Sequence, residues 1–399
     1  MRPLASTVIQ KRNVDPSDCL VPMTSDHPDA SSGHPRILFV LPSLGAGGSE
    51  RVVTTLTNHW AGEGRDVGIA TFDARDFSPF YPLARQVRFF PLNLPAPKNG
   101  LPAQISQTVR RIRAIEGAYR AYGPDAVISF LTKTNIMAIL AARRSRLPVI
   151  VSERNNPTLQ RFNAMWRAAR AYTYPKAFAF VTMTDGAASY YPANQRPRTT
   201  IIPNPVQLPK GWSNRREGNT ITAVGRLTGQ KQFHLLIEAF ASIAAQFPKW
   251  NLTIWGEGEA RAELEALRAS HGLDDRVSLP GLTTTPGQWV ETADILVLSS
   301  AYEGWPNVIV EAMAAELPVV AFDCEHGVSD MIDSGVSGQL VSQGDVAGLA
   351  GAMASLMANP ALRRSLAANA LAASARYNTA SIADEWMRLV QRALGSKST

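Results

Sequence analysis

Glu303-Gly-Trp-Pro-Asn-Val-Ile-Val-Glu311 is the stretch on which the fold assignment turns. It follows Ala293-Asp-Ile-Leu-Val-Leu-Ser-Ser300, an apolar run of buried-strand type that ends in small polar residues, and Val308 to Glu316 then reads as a helix. The segment is therefore a strand-to-helix turn, kept tight by Gly304 and Pro306. Free backbone N–H groups at the start of such a helix form a site for anionic or hydroxyl-rich ligands. Glu303 falls in the turn and Glu311 about one helical turn further on, so two carboxylates can face one crevice. An ionised carboxylate only accepts hydrogen bonds, which suits the paired hydroxyls of a sugar or a ribose. Taken alone, the segment is better read as a helix-start carboxylate beside a surface Glu.

Pieces upstream change that balance. Thr220 to Val224 reads as a strand, Gly225-Arg226-Leu227 as a turn, and Lys231 as the opening of a helix with Leu235, Leu236, Ala239 and Phe240 on one face. Arg226 and Lys231 thus stand at a strand's carboxyl end and a helix's amino end. Open α/β sheets bind ligands there, and two cations at that place suit a diphosphate, although as lone residues they would be solvated surface. A further strand, Leu252 to Trp255, runs into Gly256-Glu-Gly258, and Val277-Ser-Leu279 runs into Pro280-Gly281. Two glycines one apart are weak evidence, since any tight strand-to-helix turn uses them. The order of the pieces carries more than any one of them.

In that order, Gly225-Arg-Leu with Lys231, Gly-Glu-Gly, Leu-Pro-Gly and the Glu-to-Glu segment resemble the family 4 retaining glycosyltransferases. The resemblance covers almost all of residues 36 to 395 and implies the GT-B fold, two α/β Rossmann-like domains facing across a deep cleft. It implies that Arg226, Lys231 and Glu303 form the catalytic set, with Arg226 and Lys231 on the donor diphosphate and Glu311 on the ribose. Glu303 and the backbone of Gly304, Trp305, Pro306 and Asn307 would meet the transferred sugar or its phosphate, and the turns at Gly256 and Gly281 would lie on the donor side, Gly281 beside the base. The amino-terminal half fits the same plan. Arg36 to Leu41 is an apolar run followed by Pro42-Ser-Leu-Gly-Ala-Gly-Gly-Ser-Glu50 and a helical stretch through Trp60. Ser49 is placed to cap that helix, and Gly47 and Gly48 let the backbone approach a phosphate closely. The glycines lack the dinucleotide-binding spacing, and no acidic residue ends the next strand pattern, Val67 to Phe72. The loop resembles the Gly-Gly-x-Glu loop of family 4 enzymes, which faces donor and acceptor across the cleft.

Ser152-Glu-Arg-Asn-Asn-Pro157, after the strand-like Pro148 to Val151, together with Ile128 to Asn135, resembles the bacterial branch that extends polyprenyl-diphosphate-linked glycans for exopolysaccharide or protein glycosylation. Many family 4 enzymes carry a His near the loop that here spans Phe130 to Lys133, and this chain has none there. The acceptor-side candidates are accordingly Lys133 and Glu153, or the donor's own phosphate, for the proton. Arg154 is a candidate for an acceptor phosphate, and the same loop reads equally well as a capped connection before the next helix.

With 399 residues and 45% hydrophobic content the chain can bury two cores of ordinary size. The expected layout is a disordered tail over residues 1–34, an acceptor-binding domain over 35–205 and a nucleotide-sugar-binding domain over 206–378. A terminal helix over 379–395, apolar at Ile382, Trp386, Leu389, Val390 and Ala393, would return to the first domain. The proline-rich Pro203 to Pro209 marks the boundary. The net charge of +7 hides an asymmetry: residues 36–205 carry 22 Lys and Arg against 9 Asp and Glu. Arg110, Arg111, Arg113 and Arg120 share one helical stretch and Arg143, Arg144 and Arg146 close another. Arg161, Arg167, Arg170 and Lys176 alternate with Phe162, Trp166 and Tyr172. Basic residues beside aromatics suit an anionic membrane surface or a lipid diphosphate, whereas Arg143 to Arg146 are better read as a solvated helix end. No nucleic-acid-binding motif accompanies the charge. No segment has the length and apolarity of a signal peptide or a membrane span, so a cytoplasmic protein on the inner face of the membrane is expected. Cys19 and Cys324 suggest neither a disulfide framework nor a metal cluster. No Asp-x-Asp occurs, so transfer without a metal, and without another cofactor, is expected, with Arg226 and Lys231 neutralising the leaving group. His59, His234 and His271 read as packing or surface residues, and His326 as a candidate donor contact at the sheet edge.

The reading is a hexosyltransferase moving a sugar with retention from a UDP-sugar to a lipid-linked glycan. A nucleotide-sugar epimerase and a noncatalytic membrane-docking protein on the same fold are the alternatives.

Overall fold

Ile37-Leu-Phe-Val40 has no polar residue on either side of the chain, and every one of its side chains is fully buried. A strand that is apolar on both faces belongs in a parallel sheet covered by helices on both sides. The computed structural model places it there. It describes residues 34–94, 101–154, 162–193, 195–208, 211–212, 219–283, 287–324 and 327–396. The expected tail with Cys19, the segment from Asn155 to Arg161, Pro209 and His326 lie outside the described residues, so the readings placed on them go no further here.

Residues 35–399 form one compact unit built on two sheets. The first half runs β1 (Ile37–Val40), α1 (Gly48–Gly62), β2 (Val67–Thr71), β3 (Arg88–Pro91), α2 (Leu101–Tyr122), β4 (Ala126–Phe130), α3 (Thr132–Ala142), β5 (Val149–Ser152), α4 (Ala164–Thr173), β6 (Ala179–Thr182), α5 (Asp185–Ser189) and β7 (Thr199–Ile201). Its strands form a seven-stranded parallel sheet in the order β3-β2-β1-β4-β5-β6-β7. The second half runs β8 (Thr220–Val224), α6 (Phe233–Ile243), β9 (Asn251–Trp255), α7 (Arg261–Ser270), β10 (Val277–Gly281), β11 (Ile295–Leu298), α8 (Asn307–Ala314), β12 (Val319–Asp323), β13 (Gln339–Ser342), α9 (Val346–Ala358), α10 (Pro360–Ser374) and α11 (Thr379–Gly395). Its six strands are also parallel, in the order β10-β9-β8-β11-β12-β13. In each sheet the strand order reverses beside the first strand of its half, between β1 and β4 and between β8 and β11. Crevices open at the carboxyl ends of strands at such points.

The last helix closes the architecture. Its apolar residues recur every three or four positions, and Ile382, Trp386, Leu389, Val390 and Ala393 enter the core of the first sheet with Phe39, Trp60 and Phe130. Asn378 caps α11 by accepting from the Ser381 N–H. Fully burying a ring such as Trp386 contributes about 2 to 3 kcal/mol, so packing ties α11 firmly to the first sheet.

Two local expectations differ from what the chain does. The helix after the glycine loop starts at Gly48 with Gly47 as its cap residue, so Ser49 lies inside the first turn and caps nothing. Lys231 does not open a helix but ends a short 3-10 turn, Gly229–Lys231. A left-handed Gln232 (φ 46°) then redirects the backbone into α6, which carries Lys231 toward β11.

Candidate active site

Three turns at the carboxyl edge of the second sheet are stitched together by backbone hydrogen bonds. Leu227 donates to the Glu257 carbonyl, Gly256 to the Gly281 carbonyl and Gly225 to the Trp255 carbonyl, each at 2.9 Å. Gly256 is held at φ +144°, and a Cβ there would run into the Gly225 carbonyl. The glycines of Gly256-Glu-Gly258 therefore let neighbouring turns touch, a Cβ on Gly258 likewise running into the Leu227 carbonyl. Gly281 ends β10 beside them.

A second set of bonds locks the turn after β8 onto the turn after β11. Ala301 donates to the Gln230 carbonyl and Ser299 Oγ to the Lys231 carbonyl, both at 2.8 Å, and Gln230 Nε2 donates to the Tyr302 carbonyl at 2.9 Å. Lys231 Nζ thereby reaches Glu303 Oε1 at 2.6 Å, and Ser300 Oγ donates to the same oxygen at 2.6 Å. Glu303 is only 7% exposed. A carboxylate buried to that degree is tenable because a cation and a hydroxyl hold it. Arg226, in the same turn, is exposed and makes no ion pair with any described residue.

The nine-residue segment folds as the strand-turn-helix expected. Pro306 is the cap residue of α8 and Asn307 its first residue. Trp305 is buried against Tyr377, ring centroids 5.4 Å apart and edge-on, so its side chain belongs to the core. Glu311 is buried, and desolvation pushes its carboxyl above the ordinary carboxylate range; Arg51 of α1, then Trp289, oppose that shift. Arg51 Nη1 pairs with Glu311 Oε1, while Arg51 Nη2 donates to the Gln207 carbonyl at 2.8 Å.

Gly47 and Gly48 meet this site from the first sheet. A Cβ on Gly48 would sit 3.1 Å from Asn307 Nδ2, so the start of α1 faces the start of α8 at close range. Asn307 Oδ1 accepts from Asn204 Nδ2 at 2.7 Å, and Asn204 Oδ1 accepts from Arg154 Nη1 at 2.6 Å. Arg154 is 8% exposed and lies against the stacked rings of Phe130 and Trp386, 5.0 and 5.6 Å from their centroids. Burial pulls its guanidinium down to about 9, and its Nε and Nη2 have no partner among the described residues. Its neighbour Glu153 is buried as a hydrogen-bond hub: Thr132 Oγ1 donates to Oε2 at 2.8 Å, and the Tyr174 hydroxyl and Asn135 Nδ2 face Oε1. Lys133, in the first turn of α3, is exposed and sits 5.4 Å over the Trp166 ring of α4.

The structure thus brings three residues to one segment, Lys231 to Glu303, Gly48 to Asn307 and Arg51 to Glu311, while Arg226 is exposed in the turn before Lys231. Glu153 and Arg154 are buried, Arg154 reaching Asn307 only through Asn204, and Lys133 lies out on the α3–α4 face. Sequence reading missed Arg51, Asn204 and Trp289. Arg51 directly follows Gly-Gly-Ser-Glu, but its partner lies 260 residues away and nothing local announces it. An acid was also missed: Asp73 stands two residues beyond β2, and its carboxylate holds Ser43 Oγ at 2.7 Å and the Leu44 N–H at 3.0 Å, shaping the loop that leads to α1. Among the described residues no group of three or more His, Cys, Asp or Glu could hold a metal ion, and no helix is long and apolar enough to cross a membrane.

Comparison with known proteins meets this geometry from both halves. Residues 47–205 match the "Glycosyl transferase 4-like domain" family and residues 207–372 the "Glycosyl transferases group 1" family. The chain is similar to the GalNAc-alpha-(1->4)-GalNAc-alpha-(1->3)-diNAcBac-PP-undecaprenol alpha-1,4-N-acetyl-D-galactosaminyltransferase of Campylobacter jejuni, at 27% identity over 89% of this chain and 98% of that one. In fold it resembles a sucrose-phosphate synthase from Thermosynechococcus elongatus, with a TM-score of 0.75 and 19% identity over 90% of this chain and 100% of that one. It also resembles Anabaena HepE in complex with UDP-glucose, with a TM-score of 0.70 and 19% identity over 91% of this chain and 100% of that one. The two sheets, the order of their turns and both family matches converge on one assignment: the chain belongs to the family 4 retaining glycosyltransferases and has the GT-B fold.

Proposed function

We propose that this glycosyltransferase moves a hexose-type sugar from a UDP-sugar to a lipid-linked glycan at an anionic membrane surface, within polysaccharide or glycoconjugate synthesis. The observation that carries the donor side is the Lys231–Glu303 pair, fixed by three hydrogen bonds between two turns and by Ser300 Oγ on the same carboxylate oxygen. In this reading the second-sheet half holds the donor. The bond from the anomeric carbon to the β-phosphate oxygen breaks, and the charge that grows on the diphosphate is met by Lys231, Arg226 and the free N–H groups of α8. The acceptor oxygen bonds to the anomeric carbon on the same face, and its proton passes to the leaving phosphate. Glu303, held through Oε1, presents its carboxylate to the sugar, and Glu311 takes the ribose hydroxyls.

The acceptor side is the first-sheet half. Its support is the exposed basic and aromatic surface of α4, where Arg167, Met165 and Tyr172 face outward next to Lys133. The Campylobacter relative, whose name gives an undecaprenyl-diphosphate-linked glycan as its acceptor, supports the same choice. Arg154 and Glu153 shape that side from beneath. The deciding experiment measures UDP release from a panel of UDP-hexoses and UDP-N-acetylhexosamines, with and without a polyprenyl-diphosphate-linked glycan. Release that depends on both one donor and the lipid-linked acceptor is expected. Interconversion of the UDP-sugar without release would indicate an epimerase, and release with only free sugars or sugar phosphates would remove the lipid acceptor.

A further inference from the structure

Glu311 is a buried carboxylate on the second half of the chain whose cationic partner comes from the first. Arg51 projects from the first turn of α1 and has two anchors: Glu311 Oε1 on α8 and, at 2.8 Å, the Gln207 carbonyl in the crossover between the sheets. Its side chain is 20% exposed and that of Glu311 only 6%, so the pair is shielded from water on one flank and open to the cleft on the other. We propose that Arg51 is a positioning residue of the donor site, which orients the Glu311 carboxylate toward the ribose hydroxyls only while the two sheets are closed on each other. The proposal rests on the assignment of Glu311 to the ribose.

Burial alone disfavours the ionised form of Glu311, and the Arg51 guanidinium is the largest influence restoring it. A protonated carboxyl would offer one donor and lose its symmetric acceptor edge, which a vicinal diol needs. The guanidinium fork fits this task better than an ammonium, since it can hold a carboxylate oxygen and a carbonyl at once. The Gln207 anchor matters as much as the charge. Gln207 follows Val206, whose N–H donates to the Tyr377 carbonyl at 2.8 Å and whose carbonyl accepts from Thr379 Oγ1 at 3.3 Å. Arg51 therefore touches the crossover just where it is tied to the start of α11. Opening the cleft separates α1 from α8, withdraws Arg51 and leaves Glu311 without its cation, so ribose recognition and closure become one event.

The test compares the affinity of the full chain for UDP and for 2′-deoxy-UDP by calorimetry, in the wild type, Arg51→Met, Arg51→Lys, Glu311→Gln and the Arg51→Met/Glu311→Gln double variant. A charge-assisted hydrogen bond of this kind is worth about tenfold in affinity. Arg51→Met is expected to weaken UDP binding by about that factor and to erase the preference for UDP over its deoxy analogue. Arg51→Lys, which keeps the charge and loses the fork, should be intermediate and guards against a folding defect in the first variant. The double variant should bind no worse than Glu311→Gln, since Arg51 acts through Glu311. Equal or tighter UDP binding by Arg51→Met, or an undiminished ribose preference in it while Glu311→Gln loses that preference, overturns the role of Arg51 alone. An undiminished ribose preference in Glu311→Gln overturns the ribose assignment itself, and the proposal with it.

Discussion

The two sheets meet at the cleft with opposite ways of burying charge. At the edge of the second sheet each buried carboxylate has a cation within reach, Lys231 on Glu303 and Arg51 on Glu311. At the edge of the first sheet Glu153 is satisfied by a threonine, a tyrosine and an asparagine. Arg154 lies beside it in sequence yet bonds Asn204 and two aromatic rings instead of an acid. Ion pairs at a cleft can exchange partners when a charged or hydroxyl-rich ligand arrives. A carboxylate saturated by neutral donors in the interior has nothing to exchange and gains by staying rigid. The first arrangement fits ligand binding, and the second fits a wall that keeps its shape.

The sharpest way to break this comparison is to remove one ion-pair partner. Lys231→Ala should lower turnover by about 10²- to 10³-fold, because it removes a cation from the leaving diphosphate. Removing Lys231 from a Glu303→Gln background should cost far less than removing it from the wild type, since the two act as one unit. Full additivity of the two substitutions in UDP-release rates would show that the pair is incidental.

On the first-sheet side the expected damage is to stability. Glu153→Gln turns an acceptor toward three donors into a mixed group. It should destabilise the protein by about 2 kcal/mol, read as a lower midpoint of thermal or urea unfolding. Arg154→Met should leave the midpoint within about 2 °C, because a buried cation that meets no acid among the described residues is removed and apolar contact with Phe130 and Trp386 is kept. Its turnover should still fall, since Asn204 loses the partner that steadies it against Asn307. A collapse of the Arg154→Met fold would place that guanidinium among the fold's supports and blur the contrast.

Within the donor edge the two glutamates should fail differently. Glu311→Gln should mainly raise the donor KM, by about tenfold, because ribose contacts change little as the glycosidic bond breaks. Glu303→Gln should mainly lower kcat, because positive charge develops on the sugar it faces. A shared kinetic defect would merge the two roles proposed for these carboxylates.

The smallest effect belongs to the outer surface. Arg167 of α4 and Lys176 just beyond it, both exposed, should draw the protein to anionic vesicles, at about 1 kcal/mol each. Replacing both by Ser should weaken flotation with phosphatidylserine vesicles, and raising the salt should do the same. Equal binding to neutral vesicles would remove the electrostatic account.

Much of this molecule was legible from local patterns. Short apolar runs alternating with helical patterns announced α/β halves, and the spacing of Ile382, Trp386, Leu389 and Val390 announced the last helix almost to the residue. The Glu-to-Glu segment was recognisable as a strand-turn-helix because glycine, proline and the polar strand end act within a few residues. Where local rules compete, the reading slipped. Ser49 looked like a helix cap until the helix began at Gly48, and Lys231 looked like a helix start until Gln232 took the left-handed conformation.

By itself, then, the sequence determined two parallel α/β halves, the order of their ligand-facing turns and the presence of Arg226, Lys231, Glu303 and Glu311 in those turns. Only the tertiary structure decided that Lys231 pairs with Glu303 across 72 residues, that Arg51 pairs with Glu311 across 260, and that Arg154 is buried against Phe130 and Trp386. The reason is one of range. Propensity, periodicity and turn chemistry act over a few residues, whereas the partner of a buried charge depends on which strands become neighbours and how closely the two sheets approach, and neither is written near the charge.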